Sequence, residues 1–312
     1  MNAAAQPMDA LKAPFPYFGG KSLVAWRVWE RFGTVANYVE PFFGSGAVLL
    51  GAPWPANRIE TVNDSDGLLC NAWRALASDP AGLAAVCDWP VSELDLHARG
   101  DWLAVRASEF AERLRGDPDY YDVKAAGWWI WGICAWIGSG WAVLGDAGQG
   151  INRKLPHLGD AGRGEALAAY FAQLAARLAR VRICCGDWTR VMGHTPTVKQ
   201  GLTGVFLDPP YCAPDRDAVY VEESYMVARD VQWWCAENGD NPLLRIALCG
   251  YAGDYDLPGW TAVPWKANGG FGSQGDGQGR ANAAREMIWF SPHCLGGRQL
   301  SLVMGTDSRS PR

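Results

Sequence analysis

The tetrapeptide Asp208-Pro-Pro-Tyr211 sets a carboxylate, a stiffened backbone and an aromatic ring side by side. It follows the apolar run Gly204-Val-Phe-Leu207, which reads as a buried strand, so it falls at the carboxyl end of a sheet, where α/β proteins hold ligands. Successive prolines remove two N–H donors and rigidify the turn, leaving the Asp208 carboxylate and the Pro209 carbonyl pointing the same way beside the Tyr211 ring. Such a set suits an amino group on a planar heterocycle: Asp208 and the Pro209 carbonyl each accept one N–H, and Tyr211 stacks on the ring. Conjugation makes that amine a poor nucleophile, and two acceptors that localise its lone pair help it attack a methyl sulfonium. A base inside a duplex cannot enter this pocket and must be flipped out, at a cost of a few kcal/mol that stacking on Tyr211 offsets in part. Stacking uses the ring, so the Tyr211 hydroxyl is expected to matter little. The alternative reading is a rigid strand-to-loop turn with a capping Asp.

The elements that must position this tetrapeptide form a nucleotide-binding α/β pattern. Residues 35 to 41 read as a short strand running into the turn Phe42-Phe-Gly-Ser-Gly46, after which Ala47-Val-Leu-Leu50 opens a helix. A second strand, Arg58 to Val62, ends at Asn63-Asp64 and precedes helical spacing from Leu68 to Leu76. From about Asp79 the chain turns helix-like and Trp-rich (Trp102, Trp128, Trp129, Trp131, Trp136, Trp141), with no strand expected before Val181-Arg-Ile-Cys-Cys185. That stretch holds a duplication, Leu144-Gly-Asp-Ala-Gly-Gln-Gly150 and Leu158-Gly-Asp-Ala-Gly-Arg-Gly164, read as a mobile loop. The α/β alternation then resumes with a helix from Val227 to Asn238 and strands Leu243–Cys249, Thr261–Lys266 and Glu286–Phe290. The Gly-rich run Asn268 to Arg280 closes a hairpin at the sheet edge.

Four motifs in order, Pro16-Tyr-Phe-Gly-Gly-Lys21, Tyr38-Val-Glu-Pro-Phe-Phe-Gly-Ser-Gly46, Asn63-Asp64 and Asp208-Pro-Pro-Tyr211, resemble those of the DNA adenine methylase family. Arg285 to Pro292 is similar to that family's closing strand. The resemblance covers both flanks of the Trp-rich stretch and not the stretch itself. It implies a Rossmann-like S-adenosylmethionine-dependent methyltransferase sheet, from residues 1–74 and 180–312, with an inserted, mainly helical target-recognition domain at 75–179. It implies transfer of a methyl group from S-adenosyl-L-methionine to N6 of a flipped-out adenine, with Asp208, Pro209, Pro210 and Tyr211 as the catalytic set. It also implies cofactor contacts from Tyr17, Gly19, Lys21 (near the carboxylate), Glu40, Pro41, Phe42, Gly44, Gly46, Asp64 (on the ribose), Asp187 and Asp208. Asp64 has a structural alternative as a helix N-cap; the resemblance also sets Trp188, beside Asp187, against the cofactor adenine, where a core side chain is the stronger alternative. Methylation of cytosine N4 or of an RNA base stays open, since the same acceptors serve any exocyclic amine; so does a non-catalytic nucleic-acid-binding module on the same fold. A cognate restriction nuclease is the partner such an enzyme has when it belongs to a restriction-modification pair.

Composition bounds these readings. At 49% hydrophobic and 20% charged the chain can bury a full core. No window approaches the roughly 18 unbroken apolar residues of a membrane span, and the opening residues lack the basic and apolar regions of a signal peptide, so a cytoplasmic address is expected. Nine Cys without a Cys-x-x-Cys pair, and four His, fit reduced thiols and no metal site. A net charge of −5 argues against a protein that coats nucleic acid, so DNA contacts must be local. Arg153, Lys154 and Arg163 in the duplicated loop are the leading candidates, with Arg177, Arg180 and Arg182 a second patch that could equally be a solvated face. The Trp cluster reads as core rather than as a base-stacking platform. Nothing in the sequence sets the oligomeric state.

Overall fold

Short apolar runs that alternate with helical spacing build a seven-stranded sheet in the order β5-β2-β1-β6-β7-β9-β8. In the computed structural model β1 is Asn37–Glu40, β2 Ile59–Asp64, β5 Val181–Cys185, β6 Thr203–Leu207 and β7 Leu244–Tyr251, all parallel to one another. β9, Glu286–Phe290, runs antiparallel between β7 and the edge strand β8, Thr261–Pro264. The structure describes residues 11–17, 20–53, 57–137, 141–143, 150–211, 218–265 and 285–296, without the side chains of 218–225. This mixed α/β architecture is compatible with a Rossmann-like fold. β1 and β6 are buried along their whole length; β6 is apolar from Gly204 to Leu207, whereas β1 also buries Asn37 and Glu40. The expected edge hairpin is β8–β9; its connecting Gly-rich run lies outside the described residues, as does the first copy of the duplicated segment before Gly150.

Several helices each begin where a side chain satisfies one or two of the first N–H groups. Asp66 caps α3 (Gly67–Ser78) by accepting from Leu68 and Leu69, so the cap belongs to Asp66 and not to Asp64. Asp79 with Pro80 starts α4 (Pro80–Cys87), Ser92 starts α5 (Glu93–Gly116), and Asp122 starts α6 (Val123–Ala135). The sheet is also flanked by α1 (Ala25–Phe32), α2 (Ala47–Leu50), α7 (Glu165–Leu178) and α8 (Ala218–Asn238). Among the described residues the Trp-rich stretch is mainly helical and carries a two-stranded ribbon, β3 (Trp136–Ile137) with β4 (Gly150–Ile151), too short to show a period of two in the sequence.

One hydrophobic cluster joins Val28, Trp29, Tyr38 and Phe43 beside the sheet to Trp73, Phe15, Trp129, Trp131, Trp136, Trp141 and Phe171. Most of the Trp cluster is therefore core, as expected. Trp141 donates its indole N–H to the Trp129 carbonyl at 3.0 Å, and its ring lies so close to Gly132 that any Cβ there would overlap it. A second cluster on the other face of the sheet gathers Val39, Val205, Leu207, Val231, Ile246 and Trp188. No helix among the described residues is long and apolar enough to cross a membrane.

Candidate functional site

β1 and β6 are neighbours whose onward connections lead to opposite sides of the sheet, since β1 continues to β2 and β6 to β7. At such a switch point the loops after the two strands part and leave a crevice beyond their carboxyl ends. The turn Pro41–Gly46 and the Asp208–Tyr211 tetrapeptide are those two loops, so motifs far apart in the chain meet there.

Asp208 is the hub. Lys21, just before α1 and almost fully buried, sets its Nζ 2.8 Å from Asp208 Oδ2. Burial alone would lower the Lys21 ammonium, but the adjacent Asp208 carboxylate overrides it and holds Lys21 above its ordinary range. The Tyr211 hydroxyl is 3.0 Å from Asp208 Oδ1 and 3.1 Å from Glu286 Oε2. It is therefore engaged by two carboxyl groups, contacts that the sequence reading did not anticipate. That ring meets Tyr251 edge-on at 4.7 Å between centroids, with Lys21 Nζ 5.3 Å from its centre. Burial raises Glu286, with Lys21 opposing and Asp208 adding. Glu40 also rises by burial; the Tyr38 hydroxyl, donating to it at 2.8 Å, opposes this and Asp208 adds.

The second half of the site is a knot of backbone. Gly44 (φ +47°) and Gly46 (φ +64°) take left-handed conformations that side chains avoid. Gly44 donates its N–H to Asp64 Oδ2 at 2.9 Å, and the Trp73 indole donates to the Gly44 carbonyl at 2.9 Å. Tyr17 lies against this turn: a Cβ on Gly44 would stand 2.8 Å from its ring. Asp64 also accepts from the Asp66 N–H at 3.1 Å, yet burial dominates and pushes its carboxyl up to about 6. Asn63 donates to the carbonyls of Pro41 (3.1 Å) and Gly186 (2.9 Å), locking the β1 and β5 loops together. Phe42 stacks on Trp188, whose burial fits the core reading, and Asp187 caps the short 3-10 turn Trp188–Val191.

The predicted residues thus form two linked groups, Lys21 with Asp208 and Tyr211, and Tyr17 with Gly44 and Asp64. Glu40, Pro41 and Phe42 lie between them in the chain, Asp187 follows β5, and Gly19 lies outside the described residues. The basic candidates behave otherwise. Arg163 is ion-paired with Asp88, and the second copy of the duplicated loop is anchored by buried Leu155 and Leu158 and by a contact from His157 to the Ala13 carbonyl, so it is not free as expected. Arg153 and Lys154 are both exposed. Arg177 is only 2% exposed and bound to Glu60, which removes it from any surface patch.

Sequence reasoning missed Glu286, Tyr251 and Trp265. The signal for Glu286 was an acid opening an otherwise apolar strand; nothing marked the other two. The ring of buried Trp265 has its centre 5.5 Å from Lys21 Nζ, and its indole N–H has no hydrogen-bond partner among the described residues. No protein-family model matches this chain, and a search of the curated proteins finds no match.

Proposed function

We propose that this protein is an S-adenosyl-L-methionine-dependent DNA methyltransferase acting on N6 of a flipped-out adenine. The observation that carries the reading is the convergence of Asp208 and Tyr211 with Lys21 at the switch point, beside the left-handed glycine turn. The residues present fit the cofactor. Glycine at 44 and 46 lets backbone approach a ligand, Asp64 ends β2 where an acid can accept ribose hydroxyls, and Lys21 supplies a cation. Asn63 Oδ1 and Trp265 Nε1, both buried, are left without partners among the described residues, an acceptor and a donor open to a ligand.

When bound, the cofactor supplies an electrophilic methyl group on a cationic sulfur. Asp208 and the Pro209 carbonyl accept the two N–H bonds of the target amine and turn its lone pair outward. Lys21 fixes one carboxylate oxygen of Asp208, so the other is the one presented to the amine and to Tyr211. The surplus of carboxyl groups, Asp208, Glu40 and Glu286 around Lys21, makes the site favourable for a cation. Pro210 keeps the turn rigid, and the Tyr211 ring supports the base. DNA is then the partner, reached from a cytoplasmic location, with Arg153 and Lys154 as phosphate contacts; a paired restriction nuclease remains part of this proposal.

Incubating unmethylated plasmid with protein and labelled cofactor, digesting to nucleosides and analysing by mass spectrometry tests it. N6-methyldeoxyadenosine is expected. N4-methyldeoxycytidine alone would move the target to cytosine, and no methylated nucleoside from either DNA or RNA would leave only a binding module.

A further inference from the structure

Tyr211 has one hydroxyl proton, yet its oxygen lies within hydrogen-bond distance of two carboxyl oxygens, Asp208 Oδ1 at 3.0 Å and Glu286 Oε2 at 3.1 Å. A phenol donates once, and an ionised carboxylate only accepts. With both acids ionised, one of the two contacts is an oxygen facing an oxygen with no hydrogen between them. A single additional proton completes both hydrogen bonds, so the three groups form a chain one proton short.

Topology puts Glu286 there. β9 is antiparallel, so its first residue arrives at the edge where the parallel strands end, with Glu286 opposite Tyr251 of β7. Its backbone is pinned on both sides: the Trp265 N–H donates to the Glu286 carbonyl at 3.0 Å, and the Ala252 N–H to the Arg285 carbonyl at 2.8 Å. The side chain, on a residue 5% exposed, is thereby aimed at Tyr211.

We propose that Glu286 is the terminal proton acceptor of the methyl-transfer reaction, acting through Tyr211; this rests on the methyltransferase reading above. Transfer forms an N–CH3 bond, breaks the S–CH3 bond, and leaves the amine nitrogen with one proton too many. That proton passes to Asp208 Oδ1. The Tyr211 oxygen takes it from Asp208 while the phenol's own hydrogen moves to Glu286 Oε2. The sulfonium charge that disappears is matched by the carboxylate charge neutralised, so the site ends with the same net charge. The groups that set the proton affinity of Glu286 are Asp208 and Tyr211 from the loop after β6, Lys21, Cys249 on β7, Asp254 in the following turn, and the adjacent Arg285. Burial and Asp208 raise that affinity above an ordinary glutamate, as a proton sink requires.

The test is the pH profile of kcat for wild type and Glu286→Gln on duplex DNA with saturating cofactor. Gln keeps a hydrogen-bonding shape but cannot take the proton. Wild type should lose rate on the acid side as Glu286 protonates. Glu286→Gln should lose about 10²-fold or more in kcat, the low end for a proton-transfer group, with KM within about twofold and the acid limb gone. Tyr211→Phe keeps the ring but cuts the relay and should lose the same limb, which keeps the test open if the Gln variant fails to fold. An active wild type whose folded variants retain both rate and limb overturns the relay and leaves the methyltransferase reading standing. A wild type that methylates nothing overturns both.

Discussion

Glu60, near the amino end of β2, meets two arginines: Arg177 reaches it with Nη1 at 2.6 Å and Nη2 at 2.9 Å, and Arg58 with Nε at 2.8 Å. Arg177 also donates to the Leu49 carbonyl, and the Arg58 guanidinium lies 4.3 Å from the centre of the Trp29 ring. Asp208, just past the opposite end of the neighbouring strands, has Lys21 as its cation and shares its surroundings with Glu286 and Glu40. The first cluster is closed around its acid: one carboxylate is held by two guanidiniums through short hydrogen bonds. The second carries more carboxyl groups than cations among the described residues, which burial makes costly. Under the proposed methyltransferase reading, a cationic ligand that gives up its charge during the reaction would complete this surplus. Perturbed groups in a cleft mark functional sites for this reason.

The largest expected effect lies in the open cluster. Asp208→Ala removes one of two acceptors for the amine and strands Lys21, so methylation should fall by about 10²–10³-fold or more, the range seen when a preorganised transition-state contact is deleted. Cofactor binding should weaken but stay measurable by calorimetry. Turnover within twofold of wild type would reduce the tetrapeptide to a structural turn.

The closed cluster should fail through stability instead. Arg177→Ala leaves Glu60 buried with Arg58 alone and should cost about 3–5 kcal/mol of stability, as breaking a buried pair does. Turnover of the folded protein should not change. Denaturant unfolding beside single-turnover rates would break the comparison if stability held and rate collapsed.

The contrast also shows what can be read from residues in order. Asp208 is legible because an unbroken apolar strand stops dead at Asp-Pro-Pro, and the glycine turn because only glycine suits positive φ there. Glu286 is not, since its role depends on an antiparallel register 75 residues away from Tyr211. Arg177 reads as a surface charge and is not one: it follows Leu174 at helical spacing on the buried face of α7, and its partner Glu60 stands 117 positions earlier. The helices of the Trp-rich stretch are legible as a class, while the β3–β4 ribbon is not, because two residues carry no periodicity.

The loop charges form a third case, screened where the buried clusters are not. Arg153→Ala/Lys154→Ala should weaken DNA binding and lower the slope of log affinity against log salt by about two units, close to 0.9 for each phosphate no longer neutralised, with cofactor affinity unchanged. Parallel slopes at equal affinity would remove this loop from the DNA surface.

The smallest effect comes from the burial of a single acid at the glycine turn. Asp64 is pushed up from its ordinary 3.8 to about 6, chiefly by burial, so its protonated form is the one the fold favours. The stability this contributes is fully present below the unfolded value and lost as pH rises through about 6. Between about pH 7.5 and 5.5 the ligand-free protein should gain roughly 1 kcal/mol from this group, about 1–3 °C in Tm for a domain of this size. Other groups titrate in the same window; half-buried His157 is held below its ordinary range, chiefly by desolvation, and works against acid stability, so the wild-type curve alone does not isolate Asp64. The difference between wild type and Asp64→Asn does, because the variant keeps the shape but has nothing to titrate. Lowering the pH should therefore raise the Tm of wild type relative to that of the variant. The opposite sign would mean that the N–H groups of Gly44 and Asp66 hold the carboxylate more strongly than burial opposes it. The edge around Asp64 would then be as well compensated as the cluster around Glu60.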